Sequence, residues 1–395
     1  MSLVNVFNGV KEDKAMDVTL SKVQIDIAKE ARRFLDKECP TDYARDMYGD
    51  EQGFTDDIWV KMADIDWMRV RIPEPYGGMG MDQMDLTMVL EEMGRVVLPG
   101  PFFSTVLLAS EAIMEAGSDL QKERYLPGIA RGEIRGTLAL HEPDGGADLS
   151  HIQMEARKDG DGSVLDGTKL SVPDAHVADF LVCAARTQAG NDSARGITLF
   201  LVDLSAHGVS VSLLPTMDGT RKLCAVDFKG VRVGPEGVLG EINRGWGPLS
   251  RALQRAQVGL CAECVGGAQR AMEIATEYAK IRIQFDQPIG AFQAIKHRCA
   301  QMYVEVESSR SILYWAAWAQ DYGDAKEAAL AASVSKAYCS EAYTHVATGT
   351  IQVLGGTGFA WENDAHLYLK RAKANEQALG DPVYHRERIL QLLTA

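Results

Sequence analysis

The stretch Arg282-Ile-Gln-Phe-Asp-Gln-Pro-Ile-Gly-Ala-Phe-Gln-Ala-Ile-Lys-His297 separates two long helical patterns. Upstream and downstream of it, apolar residues recur at three- and four-residue spacing, about 247–281 and 291–321, with further runs at 325–353 and 362–378. Short punctuated connections, Gln287-Pro-Ile-Gly290 and Tyr322-Gly-Asp324, predict antiparallel neighbours packed as a bundle. The junction also sets an arginine beside Gln284 and Phe285, a forked cation with an amide and an aromatic, which suits an anionic ligand. About fifty residues on, Gln352-Val-Leu-Gly-Gly-Thr-Gly-Phe359 adds a glutamine and the pair Gly355 and Gly356, where backbone can approach a ligand closely.

Ahead of the bundle the chain changes character twice. Ser21–Lys37, Asp56–Ala63, Gln83–Val97 and Thr105–Ala116 carry helical periodicity, punctuated by Gly77, Gly78, Pro99 and Pro101, and Ile72-Pro-Glu-Pro-Tyr-Gly-Gly-Met-Gly80 supplies a rigid apolar turn. After Gly136, Gly196-Ile-Thr-Leu-Phe-Leu-Val202 and Ala225-Val-Asp-Phe-Lys-Gly-Val-Arg-Val233 read as strands. The expectation is a mainly α chain with a β domain: an N-terminal α-helical domain over 1–135, a middle β-barrel or sandwich domain over 136–240, and a C-terminal four-helix bundle over 241–395. The first fifteen or so residues lack periodicity and are expected to form a loose tail.

Composition narrows the function classes. The 395 residues are 46% hydrophobic and 24% charged, an ordinary globular balance. A formal charge of -14 argues against a nucleic-acid partner, which would require a basic stripe. Seven cysteines scattered from Cys39 to Cys339 suit a reducing compartment, and the Cys261/Cys264 pair lies inside a helical pattern with no second ligand pair, so no metal is expected. No basic-then-apolar leader and no apolar run of membrane length are visible; a cytoplasmic protein without a membrane partner is expected.

The Arg282 and Gln352 segments and the Ile72 turn together resemble the FAD-dependent acyl-CoA dehydrogenase superfamily, along nearly the whole chain and in family order. The resemblance implies the three-domain layout above and α,β-dehydrogenation of an acyl-CoA thioester to the 2-enoyl-CoA, with FAD as hydride acceptor. It implies that Arg282, Gln284, Phe285, Gln352, Gly355 and Gly356 hold the adenosine and pyrophosphate half of FAD bound in a neighbouring subunit. It implies a homo- or heterotetramer built as a dimer of dimers, and an electron-transferring flavoprotein as oxidant.

Departures from the family pattern concentrate at the flavin ring and at the base. The family's T-E-P-x-x-G-S-D segment reads here His141-Glu-Pro-Asp-Gly-Gly-Ala-Asp148, so the hydroxyls expected on the flavin are replaced by His141 and Ala147. The W-I-T expected against the ring reads Ser171-Val-Pro173, and Pro173 has no N–H to donate. Anchored on Arg371-Ala372-Lys373, the catalytic glutamate of most members falls on Leu379, and the alternative helix position falls on Ala256, beside Gln257 where relatives hold an arginine. Glu376 is the first substitute candidate for the base, with Glu263, Asp381, His141 and Glu142 behind it. Three readings follow: a self-sufficient dehydrogenase with an unrecognised base; a base-lacking partner subunit of a heterotetrameric dehydrogenase, such as those that shorten steroid side chains; or a cofactor-free structural or acyl-CoA-binding protein. An oxidase or flavin monooxygenase on the same fold is the remaining possibility.

Overall fold

The computed structural model describes residues 18–144, 148–189 and 194–394. The expected tail therefore falls almost wholly outside the described residues, and Ala147 lies outside them.

The first region is helical: α1 (Lys22–Glu38), α2 (Thr41–Gly49), α3 (Asp56–Asp64), α4 (Gln83–Arg95), α5 (Ser110–Ala116) and α6 (Asp119–Ala130). Local chemistry starts these helices. Ser21 and Gln24 form a reciprocal capping box at α1, and Ser118 and Gln121 repeat it at α6. The run expected as one helix from Thr105 differs: Phe103–Ala109 is wound as a wider π-helix that continues into α5. The Ile72–Gly80 turn is tight because Gly78 sits 1.7 Å, for a would-be Cβ, from the Ile72 carbonyl oxygen, a place only glycine occupies.

The middle region forms two four-stranded sheets. One, in order β1-β4-β5-β8, contains β1 (Gly136–Ala139), β4 (Phe180–Arg186), β5 (Ile197–Asp203) and β8 (Val238–Leu239). The other, β2-β3-β7-β6, contains β2 (Ala156–Asp159), β3 (Gly162–Pro173), β7 (Leu223–Val233) and β6 (Val209–Leu214). Strand β3 slips register against β7 between Lys169 and Val172, and within that bulge Ser171 takes a φ of 52°. The slip re-aims the strand end just where it faces the site.

The C-terminal region holds α7 (Trp246–Ile281), α8 (Gln293–Tyr322), α9 (Ala325–Leu354) and α10 (Ala365–Gln377), at nearly the expected bounds. It also holds α11 (Pro382–Thr394), which was not anticipated. The loop between α7 and α8 is a two-strand hairpin, β9 (Ile283–Gln284) and β10 (Gln287–Pro288), with Phe285 and Asp286 at φ 54° and 61°, the geometry of a primed turn. One apolar core runs continuously through the first and last helical regions, while a separate one fills the space between the sheets.

The two helical regions close on each other through glycine. A Cβ on Gly266 of α7 would meet the Glu91 carbonyl oxygen at 1.7 Å, and one on Gly94 of α4 would meet the Glu263 carbonyl oxygen at 2.1 Å. Backbone-to-backbone approach of this kind admits no side chain. Gly266→Ala is expected to force α4 and α7 apart and to destabilise the fold by about 1–3 kcal/mol or more, read as a lowered urea midpoint with the slope unchanged.

Candidate active site

The α10–α11 turn, the ends of β1 and β3, the β6–β7 loop and the π-helical segment enclose a cavity of about 610 Å³. Leu138, Leu140, Leu170, Leu223 and Leu379 give it apolar walls. This size and lining are those of small-molecule and cofactor sites.

The turn is pinned from behind. Leu379 stands at φ 57°, a left-handed conformation costly for a branched side chain, followed by Gly380 at φ 95°. Four hydrogen bonds hold it there. Gln257 Nε2 and His385 Nε2 both donate to the Leu379 carbonyl, at 3.2 and 3.0 Å. Lys336 Nζ donates to the carbonyls of Gly380 and Glu376, at 2.8 and 3.2 Å. Lys336 is wholly buried in α9, and burial lowers its pKa. A lysine inside the apolar run Ala331-Ala-Ser-Val-Ser-Lys336 was the sequence signal for this anchor, and it went unread.

Beside the cavity lies a buried charge network. Arg221 Nη2 contacts both oxygens of Glu263, at 2.9 and 2.7 Å, and its guanidinium stacks 4.7 Å over the Phe103 ring. Arg371 donates through Nε to Asp218 Oδ2 at 2.7 Å and lies 3.5 Å from Glu263 through Nη1. Its Nη2 also reaches Thr220 Oγ1 at 2.6 Å and the Leu98 carbonyl at 3.3 Å. Two cations thus neutralise Glu263 and Asp218.

Each proposed substitute for the base can now be located. Glu376 does not line the cavity: it accepts from Thr344 Oγ1 at 2.7 Å and pairs with Lys373 at 3.0 Å. Burial works to raise its pKa, but these two donors outweigh it and hold the carboxyl below its usual range. Glu263 is committed to the two arginines and also lies off the cavity wall. Glu142 lines the cavity, yet it pairs with the fully buried Lys169 at 2.6 Å and accepts the Gln153 and Met154 N–H groups. Asp381 lines it too and caps α11 by accepting the Tyr384 N–H at 2.7 Å. Ala256 is buried inside α7 and brings no polar group. His141 lines the cavity, and among the described residues no group bonds its ring; burial first, then the Lys169 cation, lowers its pKa.

The six clasp residues stand elsewhere. Arg282, Gln284, Gln352, Gly355 and Gly356 are exposed, Phe285 is 86% exposed, and none of them lines the 610 Å³ cavity. Among the described residues Arg282 forms no ion pair. A Cβ added at Gly355 or Gly356 would meet nothing within 4 Å, while the Gly355 N–H closes α9 on the Ile351 carbonyl.

A second cavity, about 410 Å³, lies across the Leu379 turn. Ser250, Gln254, Gln257, Tyr384, His385 and Arg388 make its lining largely polar. Gln257 and His385 line this cavity while bonding the carbonyl of Leu379, which lines the other, so the dividing wall is one peptide thick.

Models of the acyl-CoA dehydrogenase N-terminal, middle and C-terminal domains match residues 21–133, 137–231 and 243–393. The chain is 33% identical to the caffeyl-CoA reductase-Etf complex subunit CarC of Acetobacterium woodii over 341 residues, 85% of this chain and 89% of that one. It superposes on the butyryl-CoA dehydrogenase of Megasphaera elsdenii with a TM-score of 0.88 and 26% identity, over 96% of this chain and all of the other. A chain of the ChsE4-ChsE5 complex from Mycobacterium tuberculosis gives a TM-score of 0.86 at 28% identity, over 96% and 99% of the two chains.

Two stability tests follow from the site. Arg371→Met strands Asp218 in the interior, leaving Glu263 to Arg221 alone, and is expected to destabilise by about 3–5 kcal/mol, measured by denaturant titration. His385 is held neutral, its pKa pushed down from 6.5 to about 4, by burial and the Lys336 cation. Below the ordinary histidine range the unfolded chain binds a proton that the fold refuses. Its contribution is therefore complete above pH 6.5 and falls as the pH drops toward 4, by about 3 kcal/mol in all. Urea midpoints from pH 7 to 4.5 should fall less steeply in His385→Gln than in the wild type.

Proposed function

Because the chain belongs to the acyl-CoA dehydrogenase family, whose cofactor is FAD, we propose that it interconverts an acyl-CoA thioester and its 2-enoyl-CoA at its own 610 Å³ cavity. The observation that carries this reading is the cavity itself, apolar, of ligand size and enclosed by the same chain that carries the clasp. When bound, FAD supplies the two-electron hydride acceptor for the carbon β to the thioester.

The residues present fit that cofactor. Leu140, Leu170 and Pro173 form an apolar wall for a flat ring, and Ser171 beside them leaves room where the family expects an aromatic. Arg282, without an ion pair among the described residues, together with Gln284, Phe285, Gln352 and the side-chain-free approach at Gly355 and Gly356, suits a pyrophosphate and adenosine brought by a neighbouring subunit. In sequence, His141 and Ala147 stand where the family's pattern has the ring and phosphate hydroxyls. The polar second cavity suits the amide-bearing arm of the thioester, with the apolar acyl group across the Leu379 turn. Leu379, lacking a proton acceptor, excludes water from the wall where most members place a carboxylate.

A second reading has its own support. In the described lining, the carboxylates Glu142, Asp218 and Asp381 are all tied to structural donors, as a base-lacking partner of a homologous chain would allow. A soluble tetramer, reoxidation by an electron-transferring flavoprotein and a cytoplasmic location extend the proposal; no helix among the described residues is long and apolar enough to cross a membrane.

Purified alone, the chain is expected to carry flavin in every subunit and to reduce an artificial acceptor with an acyl-CoA. A colourless protein that acquires flavin only on coexpression with a homologous chain would replace this reading with the partner one. Arg282→Ala is expected to weaken FAD retention at least tenfold, measured as flavin released on dialysis, while the fold stays unchanged by circular dichroism.

A further inference from the structure

We propose that Arg388 selects the carrier arm of the substrate: its guanidinium, together with the Ser333 hydroxyl, donates to acceptor oxygens of that arm in the second cavity. The proposal rests on the acyl-CoA reading above and adds the residues that distinguish one thioester arm from another.

Helical spacing gives the second cavity its shape. On α7 the lining runs from Gln257 back through Gln254 and Ser250 to Trp246, one stripe at three- and four-residue spacing and about 16 Å long. On α11 Tyr384, Arg388 and Gln391 form a matching stripe, and on α9 Ala329 and Ser333 add one turn of small side chains. A volume of about 410 Å³ stretched along these helices fits one extended chain rather than a ring system.

The inner end of this channel is fixed, because Gln257 and His385 both bond the Leu379 carbonyl. Helix α11 starts at Pro382 and leads away from that turn, so Arg388 stands one helical turn farther out than His385. A chain leaving a thioester at the Leu379 turn therefore passes His385 first and Arg388 next.

The hydrogen bonding left open there is specific. Arg388 is the only arginine or lysine in the described lining, and it forms no ion pair among the described residues. Its one bond there runs from Nη1 to Gln391 Oε1 at 3.3 Å, a neighbour on the same helix. The two lining carboxylates are engaged elsewhere: Asp148 accepts the N–H and hydroxyl of Ser150, and Glu387 accepts from Gln391 Nε2. Ser333 is 6% exposed, and its hydroxyl has no hydrogen bond among the described residues. Polar groups at such depth are as a rule answered, so the acceptor arrives with the ligand. The arm of CoA carries two kinds of acceptor, amide carbonyl and phosphate, and a forked guanidinium suits both.

The test titrates the flavin-loaded protein by calorimetry with CoA, 4′-phosphopantetheine and pantetheine. Arg388→Gln is expected to weaken CoA binding about ten- to hundredfold, and Ser333→Ala about two- to tenfold. In turnover with an acyl-CoA, KM should rise by the same factor with kcat nearly unchanged, the mark of a contact made equally in ground and transition states. The urea midpoint of Arg388→Gln should match that of the wild type, since its one bond in the fold is within a single helix. A loss confined to CoA and 4′-phosphopantetheine would identify the acceptor as phosphate, and a loss shared by all three probes would identify an amide carbonyl; either supports the role of Arg388. Equal dissociation constants in wild type and both variants for every probe would overturn that role while leaving the acyl-CoA reading in place. Failure of wild type to bind CoA or any acyl-CoA would overturn both.

Discussion

A single guanidinium, that of Arg371, joins all three parts of the molecule. From α10 it reaches the β6–β7 loop through Asp218 and Thr220, α7 through Glu263, and the first helical region through the Leu98 carbonyl. It is buried to 2% exposure, and so is its partner Asp218. An ion pair at this depth stabilises only if every donor and acceptor is answered. Each of these contacts therefore fixes the position of the others, and the cavity is the space they leave between them.

The consequence for chemistry is electrostatic. Stabilising three layers around one buried cation consumed the acids nearby, and Arg221 consumed what remained of Glu263. Lys169 did the same to Glu142 on the opposite wall. The region is rich in carboxylates, yet those in the described lining are bound to structural donors. None of these carboxylates is left free of a structural partner to accept a proton.

The Leu379 turn shows how much structure is spent on placing a side chain that cannot ionise. A left-handed leucine persists because Gln257, His385 and Lys336 over-determine the backbone around it. Its carbonyl, held by donors that line the second cavity, keeps polar and apolar compartments one peptide apart. The exposed residues of the α7–α8 hairpin line neither cavity.

Hydrophobic periodicity and turn residues by themselves determined the longer helices and the strands β5 and β7, because both are local consequences of side-chain spacing and backbone preference. The long helices α7, α8 and α9 lie within a few residues of their expected bounds, and Leu379 and Ala256 were legible as side chains unable to take a proton. What the sequence left open was long-range. The pairing of Glu376 with Thr344 and Lys373 was invisible along the chain, and Glu263 meets Arg221 and Arg371 only after α7, α10 and the β6–β7 loop converge. The π-helical winding after Pro101, the slip at Ser171, the clasp hairpin and α11 also depend on neighbours distant in sequence. Whether a carboxylate is a base or a structural ion is decided by what it is buried against, and only the tertiary structure fixes that.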